Sequence, residues 1–437
     1  MFRLNFLSKV QRTVSGEKHN GWPYPKIEHW PPMTYRNRAS PTKEELSSFN
    51  AFLKTENQTQ DYKELQPWIP FCDGRCTFCY FPVSCEKNNI DAYLTAMKKA
   101  LSLYAGTKYV KSCTFNELYV GGGSPTVLSN EQIADMLQHC RRNFNLSRDH
   151  STKFTACTTS LFDEKISFLA SLRVNQLDIG VQTFNDSFRK ILKLQDSGSE
   201  AKAKVKAARK CGLRASIDML YNLPGQSIKQ WEEDLKTVLE LEVESVDCYP
   251  LDLYPETTLA KQIAAGELPP ANDDATELEM YLQTSRILGK NGYTPTCHNR
   301  FSRIDEDLMD PSSAVVGTGA GFFMGHVGRF LYSDIENIQE YISAVGSGAF
   351  PIARLATLTP DAEMQNAMMR IYVRVPVNRD NFKTKFGKYP EEAFPEAMNR
   401  LQRKQLVEIR DNQIQLTEKG DPWRFNIAWE FFRETTQ

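Results

Sequence analysis

Four of the ten cysteines in this 437-residue chain fall inside one short stretch, IPFCDGRCTFCYFPVSC, from Ile69 to Cys85. The first three, Cys72, Cys76 and Cys79, are spaced C-x3-C-x2-C. Thiolates are soft ligands, and three on one loop suit zinc or an iron–sulfur cluster. Structural zinc takes four ligands, often from two C-x2-C pairs on separate loops. Here no second pair and no nearby His is found, although Cys85 could serve as a fourth ligand. Three thiolates on a four-iron cubane leave one iron open to a substrate or cofactor. Cys72, Cys76 and Cys79 are therefore the expected metal ligands, with structural zinc as the alternative. The other six cysteines (Cys113, Cys140, Cys157, Cys211, Cys248 and Cys297) are scattered singly. That is no disulfide framework, and it fits a reducing cytoplasm.

The elements that must hold this loop follow from the pattern around it. LQPWIPF, NELYVGG, KFTACTT, QLDIGVQTF, RASIDMLYNLP and SVDCYPLDLY read as strands. Helical stretches separate them. In DAYLTAMKKALSLYA, Leu94, Met97, Leu101 and Tyr104 share one face. SNEQIADMLQHCRRNF opens with Ser129 and Gln132 at capping-box spacing. Its core face is Ile133, Met136, Leu137, Cys140 and Phe144, which makes Cys140 a buried apolar residue. SIKQWEEDLKTVLEL repeats the pattern with Trp231, Leu235 and Leu239. Strand–helix alternation predicts a parallel sheet with right-handed crossovers. Six units are too few to close an eight-stranded barrel, so the expected fold class is α/β with an open, partial barrel. Its chemistry should sit at the C-terminal strand ends.

Residues 1–60 are expected to form an N-terminal extension, 61–355 the barrel and a following glycine-rich segment, and 356–437 a helical, winged-helix-like domain. MFRLNFLSKVQR lacks an apolar core and reads as a plain tail rather than a secretory signal. The Pro- and Trp-rich HNGWPYPKIEHWPP suits an extended segment packed on a domain. Lys+Arg (53) nearly equal Asp+Glu (54), so no overall field draws the chain to nucleic acid or an anionic membrane. The C-terminal region shows no concentrated basic face, and no apolar run approaches the ~20 residues of a membrane helix.

The cysteine spacing after an apolar strand resembles the radical S-adenosylmethionine (SAM) family. There the fourth iron of a [4Fe–4S] cluster chelates the amino and carboxylate groups of SAM. An electron from the cluster then cleaves the sulfonium to give a 5′-deoxyadenosyl radical. YVGGGSPTVLS, with Gly121, Gly122, Gly123 and Ser124, resembles the family segment that meets the SAM amino group. DIGVQTFN resembles the stretch in which Gln182 contacts SAM. IDMLYNLPGQS resembles the strand end bearing Asp218, and VGTGAGFFMGH, with Gly317, Gly319 and Gly321, a glycine-rich loop beside the cofactors.

In this order, over about residues 64–435, the motifs resemble the oxygen-independent coproporphyrinogen oxidase-like branch. That branch holds oxidative decarboxylases, haem-binding chaperones and class C methyltransferases. Its decarboxylases read roughly Y-x-H-I-P-F-C into the cluster, where this chain has Gln66 to Cys72. They also carry a further Cys where Phe81 stands here. Thr155 occupies the place of the family's ribose-binding Glu, and a later Arg is replaced within RKILKLQD. Asp218 is retained.

VDCYPLDLYPETTLAKQIAAGELPP and the segment after Gly317 look most like the methyltransferase group, including anaerobic haem degradation. The resemblance implies a partial (βα)6 radical SAM barrel, a [4Fe–4S] cluster and two SAM molecules. It implies transfer of a methyl or methylene group to an sp2 carbon of a conjugated small molecule, with electrons from a flavodoxin or ferredoxin. A coproporphyrinogen decarboxylase and a haem chaperone are the rival expectations. Tyr254, His298, Arg300, His326 and Arg329 are the candidates for substrate binding or proton transfer, each with a packed or surface role as the plain alternative. Cys248 and Cys297 are candidate hydrogen donors, although a lone strand cysteine is usually core.

Overall fold

The structure, a computed structural model, describes residues 21–31, 40–305 and 313–433. The N-terminal stretch MFRLNFLSKVQR lies outside them. Each of the six apolar runs forms a strand: β1 (Lys63–Ile69), β2 (Phe115–Gly122), β3 (Leu146–Cys157), β4 (Gln176–Gln182), β5 (Arg214–Tyr221) and β6 (Ser245–Pro250). They pair in parallel in that order. The third run begins seven residues earlier than its apolar core suggests, because the added length pairs back to Phe115 on β2.

Helices cross between successive strands, and their apolar faces cover the outside of the sheet. Leu94, Met97, Leu101 and Tyr104 of Ile90–Ala105 are buried, as are Ile133, Met136, Leu137 and Cys140 of Asn130–Asn143. Capping boxes start Asn130–Asn143, Gly198–Lys210 and Ile228–Leu241. Each such cap contributes about 1 kcal/mol. In Ile228–Leu241 the buried face runs through Trp231, Leu235 and Val238, while Leu239 is left half-buried at its edge.

The glycine-rich stretch expected as a loop is a turn, holding Gly319 and Gly321, between two strands. β8 (Arg300–Ser302) adds antiparallel to β6, and β7 (Thr294–Pro295) pairs antiparallel with β8. β9 (Ala314–Thr318) pairs in parallel with β1 on the other edge. From it an antiparallel meander continues through β10 (Met324–Val327), β11 (Phe330–Asp334) and β12 (Ile352–Thr357). The result is one open, twelve-stranded sheet. Gly317 explains why this strand carries glycine: a Cβ there would lie 2.0 Å from the Gln66 carbonyl oxygen, so the two strands can approach only without it.

Part of the lead-in is also ordered. Lys43–Leu53 is a helix with a Thr42/Glu45 capping box, and it buries Phe49 and Leu53. That signal stood in the sequence as T-x-x-E. Residues 21–31 hold no helix or strand. Their Trp22 and Tyr24 rings pack on Trp423, and His29 binds Asp252 (2.7 Å) and Glu277 (2.5 Å).

The C-terminal region runs through helix Pro395–Arg403, strands β14 (Val407–Arg410) and β15 (Gln413–Leu416), then helix Arg424–Arg433. Asp411 and Asn412, with φ of 49° and 62°, make the two-residue hairpin turn. A short strand, β13 (Val377–Asn378), completes a three-stranded sheet in the order β13-β15-β14. A second hydrophobic core, including Met368, Leu401, Ile414 and Phe431, lies behind it. Among the described residues no helix is long and apolar enough to cross a membrane.

Candidate cluster and cofactor site

β1 delivers the cysteine loop to the C-terminal rim of the parallel strands. Cys72 N–H donates to Ser84 O (3.0 Å) and Ser84 N–H to Pro70 O (2.8 Å), which closes the loop on itself. Thr77 ties it to the neighbouring elements. Its N–H donates to Leu192 O (3.1 Å), its hydroxyl to Ile191 O (2.9 Å), and its carbonyl accepts from Leu259 N–H (2.9 Å). Cys72, Cys76 and Cys79 are half-buried, whereas Cys85 is exposed. Burial pushes the Cys72 thiol up, followed by the Cys79 sulfur beside it. Burial likewise raises Cys76 to about 12, with neighbouring sulfurs adding to it. Thiols that raise one another's pKa are a set that only a cation can hold together as thiolates. This donor set fits an iron–sulfur cluster. No three His, Cys, Asp or Glu side chains among the described residues are spaced for one metal ion, and a cubane's thiolates stand further apart than the ligands of a single ion.

The glycine run crosses this loop. Gly123 N–H donates to Ile69 O and Ser124 N–H to Phe71 O, both at 2.7 Å. A Cβ on Gly123 would sit 2.6 Å from Phe71 O and 2.8 Å from the Cys72 sulfur, so only a bare backbone passes there. Gly121 lies against Trp68 and Tyr119, and Gly122 against the Ile69 backbone. The Ser124 hydroxyl is buried with Thr126 and Ser160. From the other edge, Gly319 lies against Trp68, and a Cβ on Gly321 would come within 3.1 Å of Pro82 O. Gly317 lies lower, beside Gln66.

The lumen beneath is lined by alternate strand residues. On β3, Lys153, Thr155 and Cys157 are half-buried while Thr152, Phe154 and Ala156 are buried. Gln182 ends β4 with φ 68°. Asp218 stands in register between Gly180 and Asp247. Burial raises the Asp218 carboxyl well above the ordinary range, then Asp247 and Asp178 add to it. Glu64 is raised in the same sense, by burial first and Glu117 next. Two cations sit among these acids: Lys153 pairs with Glu117 (2.7 Å) and Arg300 with Asp247 (2.7 Å). The Tyr119 hydroxyl meets Thr155 (2.9 Å). Sequence reasoning missed this polar lumen, although the alternation in HSTKFTACTT was its signal.

The remaining candidates divide. Arg300 faces the lumen. Tyr254 is buried at the rim, its ring 4.1 Å from that of Tyr80 in the cysteine loop. His298 occupies a turn with φ 46°, and its carbonyl accepts from Arg424 (2.9 Å) and Arg374 (3.1 Å). Its ring lies against Tyr372, and burial followed by Arg424 lowers its pKa to about 4. The imidazole is thus neutral at pH 7 and bound up with the C-terminal region. His326 is displaced from the site altogether. It pairs with Val315 at the start of β9, and its Nδ1 is 3.1 Å from Ser313 O. It lines a cleft of about 590 Å³ with Phe52, Tyr109 and Phe382. Parallel strands fix this outcome, since β9 enters the sheet at the end opposite the cysteine loop. Arg329, in the β10–β11 turn, lies at that end too. Cys248 is buried in the core and Cys297 is half-buried beside the second core.

A sheet of this topology with a three-thiol loop at its C-terminal rim defines a class, and the comparisons agree. The radical SAM superfamily model matches residues 67–238. The matched stretch carries Cys72, Cys76 and Cys79, the glycine run, Gln182 and Asp218, and the cofactors of that superfamily are a [4Fe–4S] cluster and SAM. The chain is 26% identical to the "Heme chaperone HemW" of Bacillus subtilis (strain 168), over 80% of this chain and 94% of that one. It is also 26% identical to the "Anaerobilin synthase" of Escherichia coli O157:H7, over 73% of each chain. The solved structure of coproporphyrinogen III oxidase (HemN) from Escherichia coli shares the fold, with a TM-score of 0.78 at 20% identity, covering 93% of this chain and 99% of the other.

Proposed function

We propose that this chain is an oxygen-sensitive enzyme that moves a methyl or methylene group from a second SAM molecule to an sp2 carbon of a conjugated substrate, with a tetrapyrrole such as haem foremost. The observation that carries the reading is an aromatic wall beside the cysteine loop. Phe81 stacks on Phe322 (5.1 Å, 17° between planes), Tyr80 lies on Tyr254, and Trp68 is 6.2 Å from Phe81. Tyr80, Phe81, Phe322 and Trp68 are half-exposed, so they offer flat faces to a flat, conjugated partner. The similarity to an anaerobilin synthase over 73% of both chains favours the same class.

When bound, the cluster and SAM supply a 5′-deoxyadenosyl radical. The chain's part is to hold and to exclude. Cys72, Cys76 and Cys79 hold the cluster. Gly121–Gly123 and Ser124 present backbone to the cofactor, and Gln182 and Asp218 offer polar groups to it. Gly319 and Gly321 close the rim. The Asp218 carboxyl, raised first by burial and then by Asp247 and Asp178, is the acidic group offered at this point of the lumen. Arg300 pairs with Asp247 and offsets part of the lumen's negative charge. Under this reading a flavodoxin- or ferredoxin-type protein delivers the electron, and the setting is a reducing cytoplasm.

Anaerobic reconstitution with dithionite, SAM and haem tests the proposal by mass spectrometry. 5′-Deoxyadenosine together with S-adenosylhomocysteine and a one-carbon gain in the product is the expected result. Loss of carbon dioxide from coproporphyrinogen would replace it with a decarboxylase. A second reading, haem carriage, is favoured by the 94% coverage of the HemW relative. Stoichiometric haem binding without SAM cleavage would establish that one instead.

A further inference from the structure

The parallel ladder between β1 and β9 ends at Pro67 and Thr318. Its next rung would run from the Ala320 N–H to Trp68 O, because a parallel carbonyl accepts from the residue after its partner. A side chain stands in that place. The Tyr93 hydroxyl, from helix Ile90–Ala105, donates to Trp68 O (2.6 Å) and accepts from the Ala320 N–H (3.0 Å). The ring is fully buried, and burial holds its pKa well above the ordinary range, so the proton stays on the oxygen. Only glycine fits beside the insertion: a Cβ on Gly319 would lie 2.5 Å from Trp68 O and 2.7 Å from the Tyr93 oxygen. Asp334 grips the same turn through the Gly319 N–H (3.0 Å). Two parts of the aromatic wall depend on this joint. Trp68 is the residue whose carbonyl is bound, and Phe322, stacked on Phe81, comes two residues after Ala320.

We propose that Tyr93 is a positioning residue for the substrate: its hydroxyl, inserted as a rung, keeps β1 and the turn after β9 a fixed step apart and so sets how Trp68 and Phe322 present their rings. A direct N–H···O bond would bring the two backbones to about 2.9 Å. With the hydroxyl between them, the same two groups are bridged by two bonds and the gap is wider. Without the hydroxyl, the buried carbonyl and N–H can satisfy each other only by closing that gap, and leaving them unpaired is costly. Closure draws Trp68 toward the turn and shifts its ring against Phe81 and Phe322. A flat ligand reads such a displacement as lost contact. Tyr93 itself touches no substrate. The inference rests on the reading of the wall as the face that meets a conjugated substrate.

The test uses the reconstituted full chain. In protein carrying 5-fluorotryptophan, the fluorine resonance of Trp68 is assigned by its loss in Trp68→Phe. Tyr93→Phe should shift that resonance and leave iron content and substrate-free 5′-deoxyadenosine release at the wild-type level. Tyr104→Phe is the control. It lies on the same helix, as deeply buried, and its hydroxyl bonds neither Trp68 nor the turn, so the Trp68 resonance should stay in place. With haem as the probe, Tyr93→Phe should weaken binding several-fold without changing the KM for SAM. In a Phe322→Leu background the same substitution should cost much less, since both act on one wall. An unmoved Trp68 resonance or full additivity with Phe322→Leu would overturn the proposal. So would loss of the cluster, which would make Tyr93 a support of the cysteine loop. Wild-type protein that binds no haem would instead sink the tetrapyrrole reading, and the Trp68 resonance would still decide the role of Tyr93.

Discussion

Single residues set the chemistry here through crowding. Burial raises all three half-buried thiols, and the Cys79 sulfur adds to Cys72 and Cys76, so the positive charge of a cluster would be what stabilises their thiolates. Replacing Cys72, Cys76 or Cys79 by Ala should abolish the brown chromophore and all SAM cleavage, as read by iron analysis and 5′-deoxyadenosine release. Cys85→Ala, at an exposed position, should keep both; an equal loss of iron there would return Cys85 to the ligand set. Gly123→Ala presses a methyl group into Phe71 O and the Cys72 sulfur. Its iron content should fall while far-UV circular dichroism stays unchanged, and a full iron complement would contradict the close approach. The three cysteines were legible from spacing alone because they share one loop. The Lys153–Glu117 and Arg300–Asp247 pairs were not, because each joins strands that only the tertiary pairing brings together.

At the level of elements, the turn after β9 depends on one buried carboxyl. Asp334 at the end of β11 accepts from the Gly319 N–H (3.0 Å) and from the Thr318 hydroxyl. Burial pushes its pKa up to about 7. The folded chain therefore holds this proton more tightly than the unfolded chain, whose carboxyl titrates near about 4. Stability from this group is fully present below about pH 4 and is lost as pH rises through about 7. Urea denaturation between pH 5 and 8 should show that decline, and Asp334→Asn should flatten it. An unchanged slope in the variant would assign the pH dependence elsewhere. The strands and helices of the barrel were readable from their periods, since burial of one face imposes the pattern directly. The strand character of Ala314–Thr318 was hidden because glycine weakens any strand signal, and Gly317 is accommodated here by the backbone contact with β1.

Across the whole molecule, Arg374 links the C-terminal region to the barrel. Its Nε donates to Asp421 (2.6 Å), and its other nitrogens reach the Tyr281 hydroxyl (2.9 Å) and the carbonyls of Thr296 and His298. Arg374→Ala would leave Asp421 largely buried without its main partner, a loss of ~3 kcal/mol for a pair of this kind. Denaturant unfolding followed by tryptophan emission should show the region around Trp423 melting at lower denaturant than the barrel. A single transition at the wild-type midpoint would mean the contact carries no stability. The segment 21–31 adds a second tie, since Trp30 donates to Asp252 near the barrel rim while its carbonyl accepts from Trp429 of the last helix.

The sequence by itself determined the alternating sheet and helices, the cluster loop and the glycine run, because each is written in local spacing or in the period of buried faces. Only the tertiary structure decided which distant groups share a space. It set Arg300 against Asp247 in the lumen, tied His298 to the C-terminal region and sent His326 to the far end of the sheet. Those outcomes follow from strand order and register, which are fixed by pairing between segments far apart in the chain and leave no mark on any one of them.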